Sequence, residues 1–159
     1  MKKMIAATLL SAFIAAPALA FEFDTSKLSV GAGYGFGNSG VLSVHGDYDI
    51  ADETDNPIKV RLGYDRYSLG RYWSYNVFYG GAYYDFNEII GLDEKIHPFA
   101  GLGLGFVSLS CSELCGSSVS TGGLYYIAGV QYDINEQFSA EVSFSAWGGM
   151  ALGANYNFD

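Results

Sequence analysis

The side chains able to do chemistry are few. His45 has Ser43 two residues before it and Asp47 two after, a spacing that sets all three on one face of an extended strand. Lys59, Arg61 and Asp65 alternate in the same way in the next segment, and Glu141 does so late in the chain. Charges gathered on one face of successive strands must be paired wherever that face is buried. The pattern predicts an inward polar network of His45, Asp47, Lys59, Arg61, Asp65 and Glu141, with Asp49, Gln131 and Asp133 on the same face. Lys59 and Arg61 are its cations, and Asp47, Asp65 and Glu141 their expected partners. The alternative use of such a set is a proton or ion path.

Catalysis needs more than this. A nucleophile requires a base within reach on the face its substrate touches. Ser43 and His45 fall on the charged face rather than the apolar one, and a slip of one residue in register would reverse that. His97 has Phe99 two residues on. No catalytic residue is expected.

Cys111 and Cys115 flank Ser112-Glu113-Leu114 and are the two cysteines of the chain. Two thiolates without neighbouring histidines fall short of the four ligands of a structural zinc site. A disulfide is the expectation if the chain is exported, and no metal or cofactor is expected. Arg66 and Arg71 stand among Tyr67, Tyr72 and Trp73, a basic-aromatic cluster whose guanidinium groups suit phosphate. Arg66, Arg71 and Trp73 are therefore candidate lipopolysaccharide contacts, the alternative being an ordinary interfacial belt.

The elements that must position these groups begin after an export signal. Lys2 and Lys3, the apolar run Ile5 to Ile14, and Ala18-Leu19-Ala20 form the three regions of a cleavable signal peptide, with cleavage expected between Ala20 and Phe21. Residues 21–159 then make one domain. It holds 6 of the 8 basic residues and all 17 acidic ones, a formal charge of −11, which argues against nucleic acid. Past the signal, no apolar run is long enough for a membrane-spanning helix.

Period-two alternation runs through the domain in eight segments: Leu28–Phe36, Leu42–Ile50, Ile58–Asp65, Tyr75–Phe86, Lys95–Leu109, Val119–Ile134, Phe138–Ala146 and Leu152–Phe158. Arg66–Ser74, Ser108–Ser118 and Ala51–Pro57 are among the expected connections, and no helix is expected. The face opposite the apolar one carries glycine, serine and a few charges rather than a lysine- and glutamate-rich solvated surface. Segments of roughly 9–11 residues match a tilted strand crossing a bilayer. Tyr34, Phe36, Tyr48, Tyr64, Tyr84, Phe86, Phe106, Phe138, Tyr156 and Phe158 sit near segment ends on the apolar face, where interfacial girdles belong. The predicted fold is an all-β, eight-stranded antiparallel up-and-down transmembrane β-barrel, closed because hydrocarbon tolerates no sheet edge. An even strand number puts both ends of the domain on one side, the periplasmic one if the chain is exported.

Pro98-Phe99-Ala100-Gly101-Leu102-Gly103-Leu104-Gly105-Phe106 resembles a strand of the outer-membrane barrels related to opacity proteins and the OmpA-like transmembrane domain. Tyr132 to Val142 resembles the hairpin that follows, and Ala154-Asn155-Tyr156-Asn157-Phe158 the terminal strand. The resemblance implies residence in the outer membrane of a Gram-negative cell among lipids and lipopolysaccharide. It implies passage through periplasmic chaperones and the barrel-assembly machinery, with Tyr156 and Phe158 as the terminal assembly signal, and a monomer. Asp159 departs from the pattern, since the aromatic normally ends the chain. The expected role is structural or envelope-maintaining, with lipopolysaccharide binding and a narrow pore as variants. The alternatives are a surface adhesin of opacity type and a lipid A-modifying enzyme.

Overall fold

The computed structural model describes residues 24–36, 40–69, 73–111, 119–147 and 149–158. The eight strands are β1 (Leu28–Phe36), β2 (Gly40–Asp49), β3 (Ile58–Leu69), β4 (Trp73–Asp85), β5 (Ile96–Cys111), β6 (Val119–Asp133), β7 (Phe138–Ser145) and β8 (Gly149–Asn157). Each pairs antiparallel with the next, and β1 pairs with β8, so the sheet closes into a transmembrane barrel. Closure satisfies the backbone without water, the condition for crossing hydrocarbon.

Register shows how the wall is built. Directly opposed residues lead from Thr121 on β6 through Val107, Val77, Asp65, Ser43, Gly33, Gly153 and Glu141 back to β6 at Gln131, ten residues from the start. A stagger of ten over eight strands tilts them and sets the interior width. β3 to β6 run 12, 13, 16 and 15 residues, against 8 to 10 for the others. Arg66 to Leu69, Trp73 and Ser74, and Ser110 and Cys111 are thus strand where connections were expected. Backbone pairing continues past the last apolar position, and alternation of side chains cannot report that.

Three short helical turns also depart from expectation. A 3-10 turn, Thr25–Lys27, precedes β1, and one-turn helices α1 (Ala51–Thr54) and α2 (Asn87–Ile90) bridge β2 to β3 and β4 to β5. Left-handed Asp55 and Gly91 end α1 and α2. Lys27 ties the entry of β1 to α1, contacting Glu53 at 2.9 Å and Asp52 at 3.0 Å, and both contacts hold its ammonium protonated above the usual lysine range. The rim bearing Lys27 and Phe158 is called the terminal rim below, and the opposite one the far rim.

Burial is inverted relative to a soluble protein. Leu62 on β3 is 60% exposed while its neighbour Arg61 is 2% exposed. Leu102, Leu104, Leu124 and Phe106 form an apolar outer band. Aromatic pairs flank it: Tyr84 with Phe86 and Phe138 with Tyr156 near the terminal rim, Tyr64 with Phe78 and Tyr34 with Phe36 toward the far rim. Ile89 and Ile90 on α2 stay exposed rather than packing against the barrel end.

Candidate functional site

Three groups of side chains stand out: the middle of the lumen, a cavity at the terminal rim, and a polar row outside the far rim.

In the lumen, Arg61 projects from β3 between two carboxylates. Its Nε donates to Asp47 Oδ1 at 2.7 Å and its Nη2 to Asp47 Oδ2 at 2.8 Å. Nη1 donates to Glu141 Oε1 at 3.0 Å and Nη2 to Glu141 Oε2 at 2.8 Å. A planar fork suits two bidentate acceptors, which an ammonium cannot match. The Tyr83 hydroxyl donates to Asp47 at 2.9 Å and the Asn155 amide to Glu141 at 3.3 Å. The rings of Tyr83 and Phe99 lie 5.0 and 5.3 Å from the guanidinium carbon. His45 Nε2 meets Asn155 Oδ1 at 3.0 Å.

Toward the far rim the lumen turns aromatic. Tyr79 and Tyr125 stack at 4.2 Å, as do Tyr67 and Tyr75, and Trp147 sets its ring edge-on to Tyr125. Glycines make the room. A side chain at Gly63 would strike the Tyr79 ring, and one at Gly105 would strike Trp147. Between Arg61 and the Tyr79–Tyr125 stack a void of about 20 Å³ remains, room for roughly one water. No buried side-chain polar atom among the described residues lacks a partner.

Asp65 belongs to a separate contact, accepting from Ser43 at 2.6 Å and Tyr67 at 3.3 Å. Lys59 makes no ion pair with a described residue and faces the terminal-rim cavity of about 360 Å³ with Asp49, Asp85, His97, Asp133 and Glu136. There His97 Nδ1 lies 2.7 Å from Asp85 and Nε2 3.1 Å from Asp133.

Outside, the register builds a second pattern. Arg66, Asn76, Ser108 and Ser120 stand side by side on the outward face of β3 to β6. Two residues toward the membrane centre stand Tyr64, Phe78 and Phe106. This is a polar shelf directly beyond an aromatic row, the order of a membrane interface. The Tyr64 hydroxyl donates to Asn76 Oδ1 at 2.7 Å, which aims the Asn76 amide donor away from the ring. Arg66 is exposed and makes no ion pair with a described residue.

Of the six residues expected in the lumen network, Asp47, Arg61, Glu141 and His45 converge, while Asp65 and Lys59 stand apart. Tyr83, Phe99, Asn155 and Trp147 enter the site without a sequence signal, since alternation gives a face but not the register that brings faces together. Arg71, Cys115 and the export signal with its Ala20–Phe21 junction lie outside the described residues. Trp73 and Cys111 face one another as backbone partners at the far ends of β4 and β5. Tyr156 is half-buried on β8, with Phe158 just past it in edge contact at 5.1 Å.

No family model and no curated protein sequence matches the chain. Solved structures do. The N-terminal β-barrel domain of Pseudomonas aeruginosa OprF aligns with a TM-score of 0.62 at 20% identity, over 82% of this chain and 96% of that domain. Neisserial surface protein A gives 0.59 at 16% identity, over 82% and 94%. Ail, the attachment invasion locus protein of Yersinia pestis, gives 0.50 at 18% identity, over 82% and 96%. The chain thus has the fold of the small eight-stranded outer-membrane barrels of OmpA-like and opacity type. At these identities the likeness concerns fold, and a fold does not carry a function with it.

Proposed function

We propose that the protein is a structural, envelope-maintaining barrel of a Gram-negative outer membrane whose far rim faces outward and binds lipopolysaccharide phosphate. The observation that carries the reading is the outer shelf of Arg66, Asn76, Ser108 and Ser120 beyond the Tyr64–Phe78–Phe106 row. A guanidinium without an ion pair among the described residues, beside a pinned amide and two hydroxyls at headgroup depth, suits an anionic oxygen cluster. The reading keeps Arg71 and Trp73, next along the chain, as further candidate contacts.

In this reading the signal peptide is removed at Ala20, the ends lie in the periplasm, and Cys111 and Cys115 pair during passage through that oxidising compartment. Tyr156 and Phe158 address the barrel-assembly machinery, and the barrel works as a monomer. It is not an enzyme: His45 points into the lumen at Asn155, away from any lipid substrate. A filled lumen also speaks for structure over conduction.

A deletion strain, complemented with wild type or Arg66→Glu, tests the proposal. The expected result is detergent sensitivity on deletion, repaired by wild type and not by Arg66→Glu, with lipid A mass unchanged. A changed lipid A mass would instead place the protein among lipid A-modifying enzymes.

A second reading, a surface adhesin, is favoured by the length of β3 to β6, which carry polar wall past the aromatic row. The deletion would then lose host-cell binding and keep its detergent resistance.

A further inference from the structure

We propose that Asp85, His97 and Asp133 form a proton-operated latch across three strands at the terminal rim. His97 is the second residue of β5, and its imidazole spans the gap between the last residues of β4 and β6. Nδ1 lies 2.7 Å from Asp85 Oδ2 and Nε2 lies 3.1 Å from Asp133 Oδ2. Carboxylates only accept, and a neutral imidazole has a single N–H. Both contacts are hydrogen bonds only while the ring carries two protons. When one proton leaves, a ring lone pair faces a carboxylate and that side of the bridge opens. The longer contact, to Asp133, is the one that yields.

The charges around the ring support this. Asp85 from β4 and Asp133 from β6 touch it, and Lys59 from β3, Asp49 from β2 and Glu136 from the β6–β7 turn line the same cavity. Lys27, at the entrance to β1, is held by Asp52 and Glu53. Four carboxylates against Lys59 leave the cavity anionic, a setting that favours the charged ring.

The latch reaches beyond its own atoms. Asp85 Oδ1 also accepts from the Asn87 amide at 2.9 Å, so one carboxylate serves both the histidine and the first turn of α2. The Asp133 amide donates to the Lys95 carbonyl at 2.9 Å, next to the start of β5. Protonation therefore ties the β4–β5 and β6–β7 connections together over the cavity mouth, and deprotonation frees the β6 side.

Amide hydrogen exchange on the full chain in lipid nanodiscs, corrected for intrinsic rates at each pH, reads the state of the latch. Raising pH through the imidazole titration is expected to speed opening at Ile96 and Asp133 by about tenfold for each pH unit of coupling. Leu102 and Leu104 in mid-strand should not change. His97→Gln should exchange fast at these rim amides at every pH, and Asp133→Asn should weaken the pH effect. Ring nitrogen chemical shifts of the wild type should show a doubly protonated His97 while the bridge is closed, a readout independent of any variant's folding. A neutral ring with both contacts intact, pH-independent exchange in the wild type, or a pH effect that persists in His97→Gln would overturn the proposal.

Discussion

Arg61 shows what a single buried charge demands. Its guanidinium has left water for a lumen where it is 2% exposed, and two carboxylates, a hydroxyl and two rings surround it. Removing one member of such a set strands the others, at a cost of about 3–5 kcal/mol. Arg61→Met is therefore expected to lower stability by about that much, read by urea unfolding from lipid vesicles. Replacing Asp47, Arg61 and Glu141 together by apolar residues of similar volume should recover most of the loss. The inward set itself was legible in the sequence, because alternation separates Arg61 from Leu62. The partners were less so. Arg61 lies opposite Asp47 across one ladder, but Glu141 is 80 residues away and meets it only because the barrel closes. Asp65 shares a face with Arg61 yet is taken by Ser43 and Tyr67. A face is a property of one strand, whereas a partner is a property of stagger and closure.

Elements obey two sets of rules at once, one for each surface of the wall. Outward positions need bulk apolar groups and inward ones need space, so glycines recur opposite leucines along β5. Gly105 shows the inward rule. It gives Trp147 a place in the lumen, and Gly105→Val would force that indole out. The expected cost is about 1–3 kcal/mol from overpacking, with loss of the near-UV signal of the packed tryptophan. Unchanged near-UV intensity in a folded variant would mean that Trp147 does not rest there. The outward rule made the strands visible in the sequence, and the apolar pattern located all eight. It fell short at the far end of β3, where Arg66 to Leu69 are strand, and by two residues each at β4 and β5; there the outward positions Arg66, Asn76, Ser108 and Ser120 are polar while backbone pairing goes on, the last three already inside the expected segments. Those polar ends are the proposed lipopolysaccharide contact. Asn76→Ala and Tyr64→Phe should each weaken that contact severalfold, since one removes the amide and the other lets it turn. Co-purified lipopolysaccharide per barrel provides the measure.

At the scale of the whole molecule, the barrel is a membrane protein with a solid interior. A stagger of ten leaves room for the arginine network and the aromatic stacks, but in the middle for little more than one water. Planar-bilayer recordings of the purified chain should show no steady conductance, and regular openings would contradict a filled lumen. The proposed function then falls to the outer surface, where apolar band, aromatic row and polar shelf follow one another on β3 to β6. The phosphate contact proposed for the outer shelf is read by the thermal midpoint of the barrel in nanodiscs containing lipid A with its phosphates or the same lipid A dephosphorylated. Phosphorylated lipid A is expected to raise the midpoint of the wild type, the dephosphorylated lipid to leave it unchanged, and Arg66→Gln with Asn76→Ala to abolish the difference. Equal stabilisation by both lipids, or a difference that survives in the double variant, would contradict that contact.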